Sequence, residues 1–154
     1  MIMKYSSSLP WYKKGLHFSC TECGKCCTGA SGFVLINEQE IQEMAHFLEI
    51  TVKNFKKLYI KKRNNQTFLI EKKSPEGYSC VFFRDKKCSV YSVRPSQCRL
   101  YPFWPENLLS RQAWEQAANF CEGITCKGAV FSQEKIDQMK EIQMQANELY
   151  VANE

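Results

Sequence analysis

Four cysteines fall within eight consecutive positions, Cys20, Cys23, Cys26 and Cys27, in the stretch FSCTECGKCCTG. The C-x2-C-x2-C-C spacing brings sulfurs to one side of a tight loop, where a metal can collect them. Packing alone does not produce such a cluster, because structural cysteines scatter through a core as small apolar side chains. Gly24, between the second and third thiols, suits a metal knuckle, since a residue without a side chain lets backbone amides turn toward sulfur.

Cys80, Cys88, Cys98, Cys121 and Cys126 bring the total to nine cysteines. An odd count with adjacent thiols fits disulfide pairing poorly and points to a reducing, cytoplasmic setting. Eight thiols suffice for two four-thiolate sites and leave Cys126 outside, whereas one site plus free or redox-active thiols fits the count equally well. In most extended or turn conformations the side chains of Cys26 and Cys27 diverge, so the adjacent pair is expected to serve two metals, or one metal and a second role. The loop is then a shared hinge between two sites, or the first three ligands of one and the start of another, and Cys27 decides.

Four thiolates suit zinc and an iron-sulfur cluster alike. The spacing matches the opening of the bacterial ferredoxin run, but Cys26 is followed at once by Cys27 and no Cys-Pro closes the pattern. Nor is it the C-x3-C-x2-C spacing of radical S-adenosylmethionine enzymes. The metal and the number of sites, one or two, stay open.

A chain of 154 residues with 44% apolar content is one domain,. Residues 1–15 read as an irregular lead-in docked through Trp11 and Tyr12, and residues 16–154 as the cysteine-bearing domain with a C-terminal helix. The expected class is α+β: two to three main helices, short antiparallel strands and irregular metal-binding loops. FVLI (33–36) reads as a strand, and Asn37 with Glu40 as a capping box before the apolar series Ile41, Met44, Ala45, Leu48. Thr51 caps a second helix, with Val52, Phe55, Leu58 and Tyr59 on one face and Lys53, Lys56, Lys57, Lys61 and Lys62 elsewhere. Asn64 to Gln66 break that pattern, Thr67 to Glu71 reads as a strand, and Ser74 to Gly77 as a turn. CVFFRDKKCSVY reads as a hairpin turning at Arg84 to Lys87 with Cys80 and Cys88 at its ends. Pro95 and Pro102 stiffen the backbone around Cys98. A short helix over 108–119 carries Trp114, and Ser132 caps a final helix with a buried stripe at Ile136, Met139, Ile142, Ala146 and Leu149.

The formal charge of +5 counts every cysteine as neutral. Eight thiolates holding two divalent ions would lower it by about 4, so much of the basicity is counter-charge for the site. Lysines on the outer face of an amphipathic helix are normally just solvated, and without an interleaved aromatic pattern nucleic-acid binding is disfavoured. No apolar stretch reaches the roughly 18 residues that spanning a bilayer needs, so no membrane is expected. Glycine-rich phosphate loops, a G-x-S-x-G elbow and H-E-x-x-H are absent, which disfavours a nucleotide-dependent enzyme or a hydrolase. Arg94, Arg99 and Tyr101 flank Cys98 and suit a substrate site, but the arginines read first as residues that offset thiolate charge or donate hydrogen bonds to sulfur. His17 and His46 are not assigned to metal.

FSCTECGKCC, CVFFRDKKCSVYSVRPSQCRLYPF, CEGI and KGAVFSQEKI together resemble the bacterial cysteine-cluster family described as a zinc- or iron-chelating domain, also called YkgJ-like. The resemblance spans roughly residues 16 to 140. It implies metal binding by Cys20, Cys23, Cys26, Cys27, Cys80, Cys88, Cys98 and Cys121, with zinc or iron, including an iron-sulfur cluster, as cofactor. Cys126 lies where a non-ligand is expected. Flagellin lysine methylases carry a similar cysteine pattern, so the resemblance extends to an iron-sulfur oxidoreductase or an accessory to methyl transfer. Three readings follow: a cytoplasmic metal-binding protein, an iron-sulfur redox enzyme or electron carrier, and a zinc-stabilised module that docks a protein partner through aromatic residues including Trp104 and Trp114.

Overall fold

The computed structural model describes residues 9–32, 34–125 and 127–151. Strand β1 (Leu16–Phe18) leads into the cysteine loop, which closes in a single 3-10 turn (Lys25–Cys27) and strand β2 (Thr28–Gly29). Helices α1 (Glu38–Phe47) and α2 (Val52–Tyr59) come next. Six short strands follow: β3 (Ile60–Arg63), β4 (Gln66–Leu69), β5 (Glu71–Ser74), β6 (Gly77–Cys80), β7 (Phe83–Arg84) and β8 (Lys87–Cys88). The chain finishes with α3 (Ser96–Leu100), α4 (Arg111–Ala118), β9 (Ala129–Phe131) and α5 (Gln133–Val151). Pairing is antiparallel throughout the described strands: β1 with β9, β2 with β6 and β6 with β5, β3 with β4, and β7 with β8. The architecture is α+β, as expected.

Local signals work where the partners are near in sequence. The Asn37 side chain accepts from Glu40 N at 2.9 Å while the Glu40 carboxylate accepts from Asn37 N at 3.0 Å, so the capping box forms and starts α1. Thr51 Oγ1 accepts from Asn54 N at 3.1 Å and starts α2,. At α5, Ser132 Oγ accepts from Lys135 N at 3.3 Å.

Several expectations shift. The second helix stops at Tyr59, so Lys61 and Lys62 lie in β3; Asn64 and Asn65, at φ 49° and 61°, are the two left-handed residues of a tight turn that folds β3 onto β4,. The segment 33–36 makes one isolated bridge, Leu35 to Phe68, and not a strand, and Phe33 lies outside the described residues. The charged hairpin is narrower than expected, turning on Asp85 and Lys86 at φ 50° and 61°, with Phe83 opposite Cys88. Cys80 belongs to β6, opposite Glu71 of β5. Leu58 faces out at 53% exposure and Ile142 at 49%, whereas Gln143 is buried; the Leu149 side chain lies outside the described residues. Phe55 and Tyr59 carry the packing of α2 instead, their rings 5.2 Å apart.

Two apolar clusters flank the cysteines. Ile36, Ile41, Met44, Phe55, Leu69, Phe82 and Val90 form the first, with Cys80 and Cys88 packed against it. Tyr12, Leu16, Phe103, Leu108, Trp114 and Ile136 form the second, with Trp11 and Phe18 against it. The lead-in is therefore docked through Trp11 and Tyr12, as expected for its described part. Trp114 is a core residue, with its ring 5.3 Å from that of Phe103, not part of an aromatic docking surface. Half-buried Trp104 donates from Nε1 to Gln97 O at 2.9 Å.

Candidate metal centre

Between these clusters opens a cleft of about 110 Å³ whose walls include Cys20, Cys23, Cys26, Cys27, Cys80, Cys88, Cys98 and Cys121. A single water needs only about 10–15 Å³, so the thiols border open space and are not sealed into packed carbon. All eight thiols expected from the sequence meet here, from the opening loop, β6, β8, α3 and the segment after α4, and none is in a disulfide. Cys20, Cys23 and Cys26 sit at the exposed rim, and the other five are half-buried. Among the described residues no three Cys, His, Asp or Glu side chains are already gathered at metal-holding distances. Cys126 lies outside the described residues. His17 is exposed, its Nδ1 3.0 Å from Gly128 O, and His46 is exposed on α1; neither borders the cleft.

The opening loop holds its shape through two left-handed residues, Glu22 at φ 55° and Gly24 at φ 77°. Glu22 N donates to Cys20 Sγ at 3.4 Å. Against the burial that raises them, the backbone at Phe82, Val90 and Gly123 pulls Cys80, Cys88 and Cys121 back toward thiolate. An amide aimed at sulfur favours the thiolate, the form that binds metal. Gly24 lies against the Phe83 ring so closely that any β-carbon there would penetrate it. The knuckle thus needs glycine for its backbone angle and for its neighbour.

Cys26 and Cys27 stand close enough for each thiol to shift the titration of the other. Both lie in a 3-10 turn, where successive side chains are about 120° apart around the axis and not on opposite faces. The Cys27 side chain holds Cys26 down to about 7, and the Cys26 side chain, then burial, pushes Cys27 up. Burial is also the leading cause that raises Cys80, Cys88, Cys98 and Cys121.

Arg94 supplies the opposing charge. It stacks over the Tyr91 ring at 3.8 Å, donates from Nη1 to Tyr91 O at 2.6 Å, and its guanidinium favours the thiolates of Cys26, Cys88 and Cys98. That is the charge-offsetting role expected of it. Arg99 is exposed and donates to Ser96 Oγ at 3.0 Å. Tyr101 borders the cleft, and burial pushes its hydroxyl up to about 12. Tyr91 and Glu122 were not singled out in the sequence. Tyr91 borders the cleft, and Glu122 accepts from Thr21 Oγ1 at 2.7 Å and pairs with Lys25 at 3.4 Å. Position beside Cys121 was the signal available for Glu122; nothing local marks Tyr91.

A small α+β domain built around one cysteine-lined cleft is the class of protein that the fold and site define. Residues 19–122 match the model of the CxxCxxCC family, described as "Putative zinc- or iron-chelating domain", and the chain belongs to that family. The chain is also similar to "Uncharacterized protein MJ0661" of Methanocaldococcus jannaschii, with 31% identity over 94 residues, 60% of this chain and 48% of the relative. It thus spans about half the length of that relative. No solved structure matches the chain.

The donor set fits the group that the family describes. Eight thiols around one cleft, beside the Arg94 guanidinium, suit soft or borderline ions such as zinc and iron and not hard ions, which prefer oxygen,. Among the described residues no helix is long and apolar enough to cross a membrane.

Proposed function

We propose that the chain is a thiolate metal-binding domain that holds zinc or iron through Cys20, Cys23, Cys26, Cys27, Cys80, Cys88, Cys98 and Cys121, in a reducing, cytoplasmic setting. The observation that carries this reading is the convergence of eight reduced thiols from distant segments on one cleft. One of them, Cys20, already accepts a backbone N–H, from Glu22 at 3.4 Å. Inert buried cysteines would gain nothing from facing open space.

Closing thiolates around a metal would tie the opening loop, the β6 to β8 region, α3 and the segment after α4 together. Such a tie contributes folding free energy, because the unfolded chain has no preformed site. The metal's own chemistry would be a structural cross-link if zinc, and electron transfer if an iron-sulfur cluster. The exposure of Cys20, Cys23 and Cys26 favours keeping the electron-carrier reading as the second one, because a centre at the surface is open to a redox partner.

Purification without oxygen, followed by quantitation of zinc, iron and acid-labile sulfide, tests both. Protein free of zinc and iron sinks the metal-binding reading. Stoichiometric zinc without sulfide removes the electron carrier.

A further inference from the structure

The eight thiols do not form one undivided set. Three bonds bind the Cys20–Cys23 arm to the residues beside Cys121: Ser19 N to Gly123 O at 3.0 Å, Thr21 Oγ1 to Glu122 at 2.7 Å and Lys25 Nζ to Glu122 at 3.4 Å. Gly123 fits beneath this arm so tightly that a β-carbon would strike Ser19 O.

A second set of ties gathers the other thiols. Thr28 of β2 pairs with Ser79 of β6, which brings the neighbouring residues Cys27 and Cys80 together across the ladder. Ser89 N donates to Phe82 O at 2.8 Å, and Phe83 stands opposite Cys88, so the arm carrying Cys88 folds back beside Cys80. The Glu40 carboxylate accepts from Ser96 N at 2.8 Å and holds the start of α3, the helix that carries Cys98. Cys26 and Cys27, adjacent in the 3-10 turn, sit where the sets meet. Cys27 completes four thiols on the β6 side. Cys26, three positions after Cys23, completes four on the other.

On this basis, and resting on the reading that the thiols bind metal, we infer that the cleft holds two adjacent four-thiolate centres. One comprises Cys20, Cys23, Cys26 and Cys121, the other Cys27, Cys80, Cys88 and Cys98. Each takes one first-row divalent ion of tetrahedral preference. The vicinal pair divides between the centres and makes the opening loop their common wall.

Cobalt(II) titration of the full chain, purified reduced and without oxygen, tests the division, because the visible absorption of tetrahedral thiolate-bound cobalt counts occupied centres. The wild type is expected to take two equivalents, and Cys121→Ala or Cys88→Ala one each. The double variant Cys23→Ala/Cys121→Ala, with both changes in one centre, is expected to keep one equivalent. Cys121→Ala/Cys88→Ala, with one change in each, is expected to keep none. A within-centre double variant that loses both equivalents, a single variant that loses both, or a wild type that saturates at one equivalent overturns the division while leaving metal binding intact. A wild type that takes no cobalt fails the underlying reading instead. Circular dichroism of each variant checks that it folds. If changes near the first apolar cluster prevent folding, Cys23→Ala/Cys121→Ala alone decides, since one retained equivalent requires an independent second centre.

Discussion

The Glu40 carboxylate accepts two hydrogen bonds from Ser96, from the backbone amide at 2.8 Å and from the hydroxyl at 2.7 Å. One side chain therefore closes the capping box of α1 and also anchors α3, which presents Cys98 to the cleft. Glu40→Ala leaves the buried Ser96 donors without their acceptor and is expected to destabilise the fold by about 2–4 kcal/mol. Denaturant unfolding measures the loss. A value within a few tenths of wild type would show that the two helices do not depend on this carboxylate.

Gly24→Ala is expected to lower metal content sharply, because the left-handed backbone costs a side chain about 1–2 kcal/mol and the added β-carbon meets Phe83,. The double variant Gly24→Ala/Phe83→Ala relieves the collision but not the backbone angle. It is expected to recover part of the metal bound, as read by elemental analysis. Full recovery would mean that the ring alone requires glycine.

Arg94→Gln removes the guanidinium that faces three of the thiols and is expected to weaken metal affinity about 10–100-fold with the fold retained,. Competition against a chromophoric chelator gives the ratio. Arg99→Gln, at an exposed position, is expected to change it by much less.

Tyr12 donates to Asp137 Oδ1 at 2.6 Å, tying the lead-in to α5. Burial, then the Asp137 carboxylate, raises the Tyr12 hydroxyl well above its ordinary value of about 10. A raised folded value means that this contribution is complete below about pH 10 and is lost as pH rises further. Tyr12→Phe is expected to cost about 1.5 kcal/mol near neutral pH, the low end for a bond to a charged acceptor, with the gap to wild type narrowing above pH 10. Unfolding measured at pH 7, 9 and 10.5 checks the trend; a gap that widens with pH would reverse the assignment.

Much of this protein was legible in the chain because its signals are local. Asn37 and Glu40 cap α1, Thr51 caps α2 and Ser132 caps α5 through partners three residues away. The turn around Pro75 and Glu76 folds β5 onto β6 as its residues require,. Less legible were elements that depend on distant pairing. The Ile60–Arg63 run has the composition of a helix end, and only its ladder with Gln66–Leu69 makes it a strand. Leu58 and Ile142 keep the helical period yet face solvent, because none of the described elements covers them.

For the cleft, the sequence by itself determined the inventory: eight thiols, a glycine knuckle at Gly24 and an arginine at Arg94. Which thiols stand side by side was decided by tertiary structure. The bond from Ser19 to Gly123 spans more than half the chain, and the pairing of Thr28 with Ser79 brings Cys27 to Cys80 across a third of it. The relation of Cys26 to Cys27 is set by a single 3-10 turn, whose conformation depends on what the loop packs against. Side-chain direction follows backbone conformation, and a short loop takes its conformation from its neighbours. Spacing can therefore announce a metal site without saying how its ligands are shared.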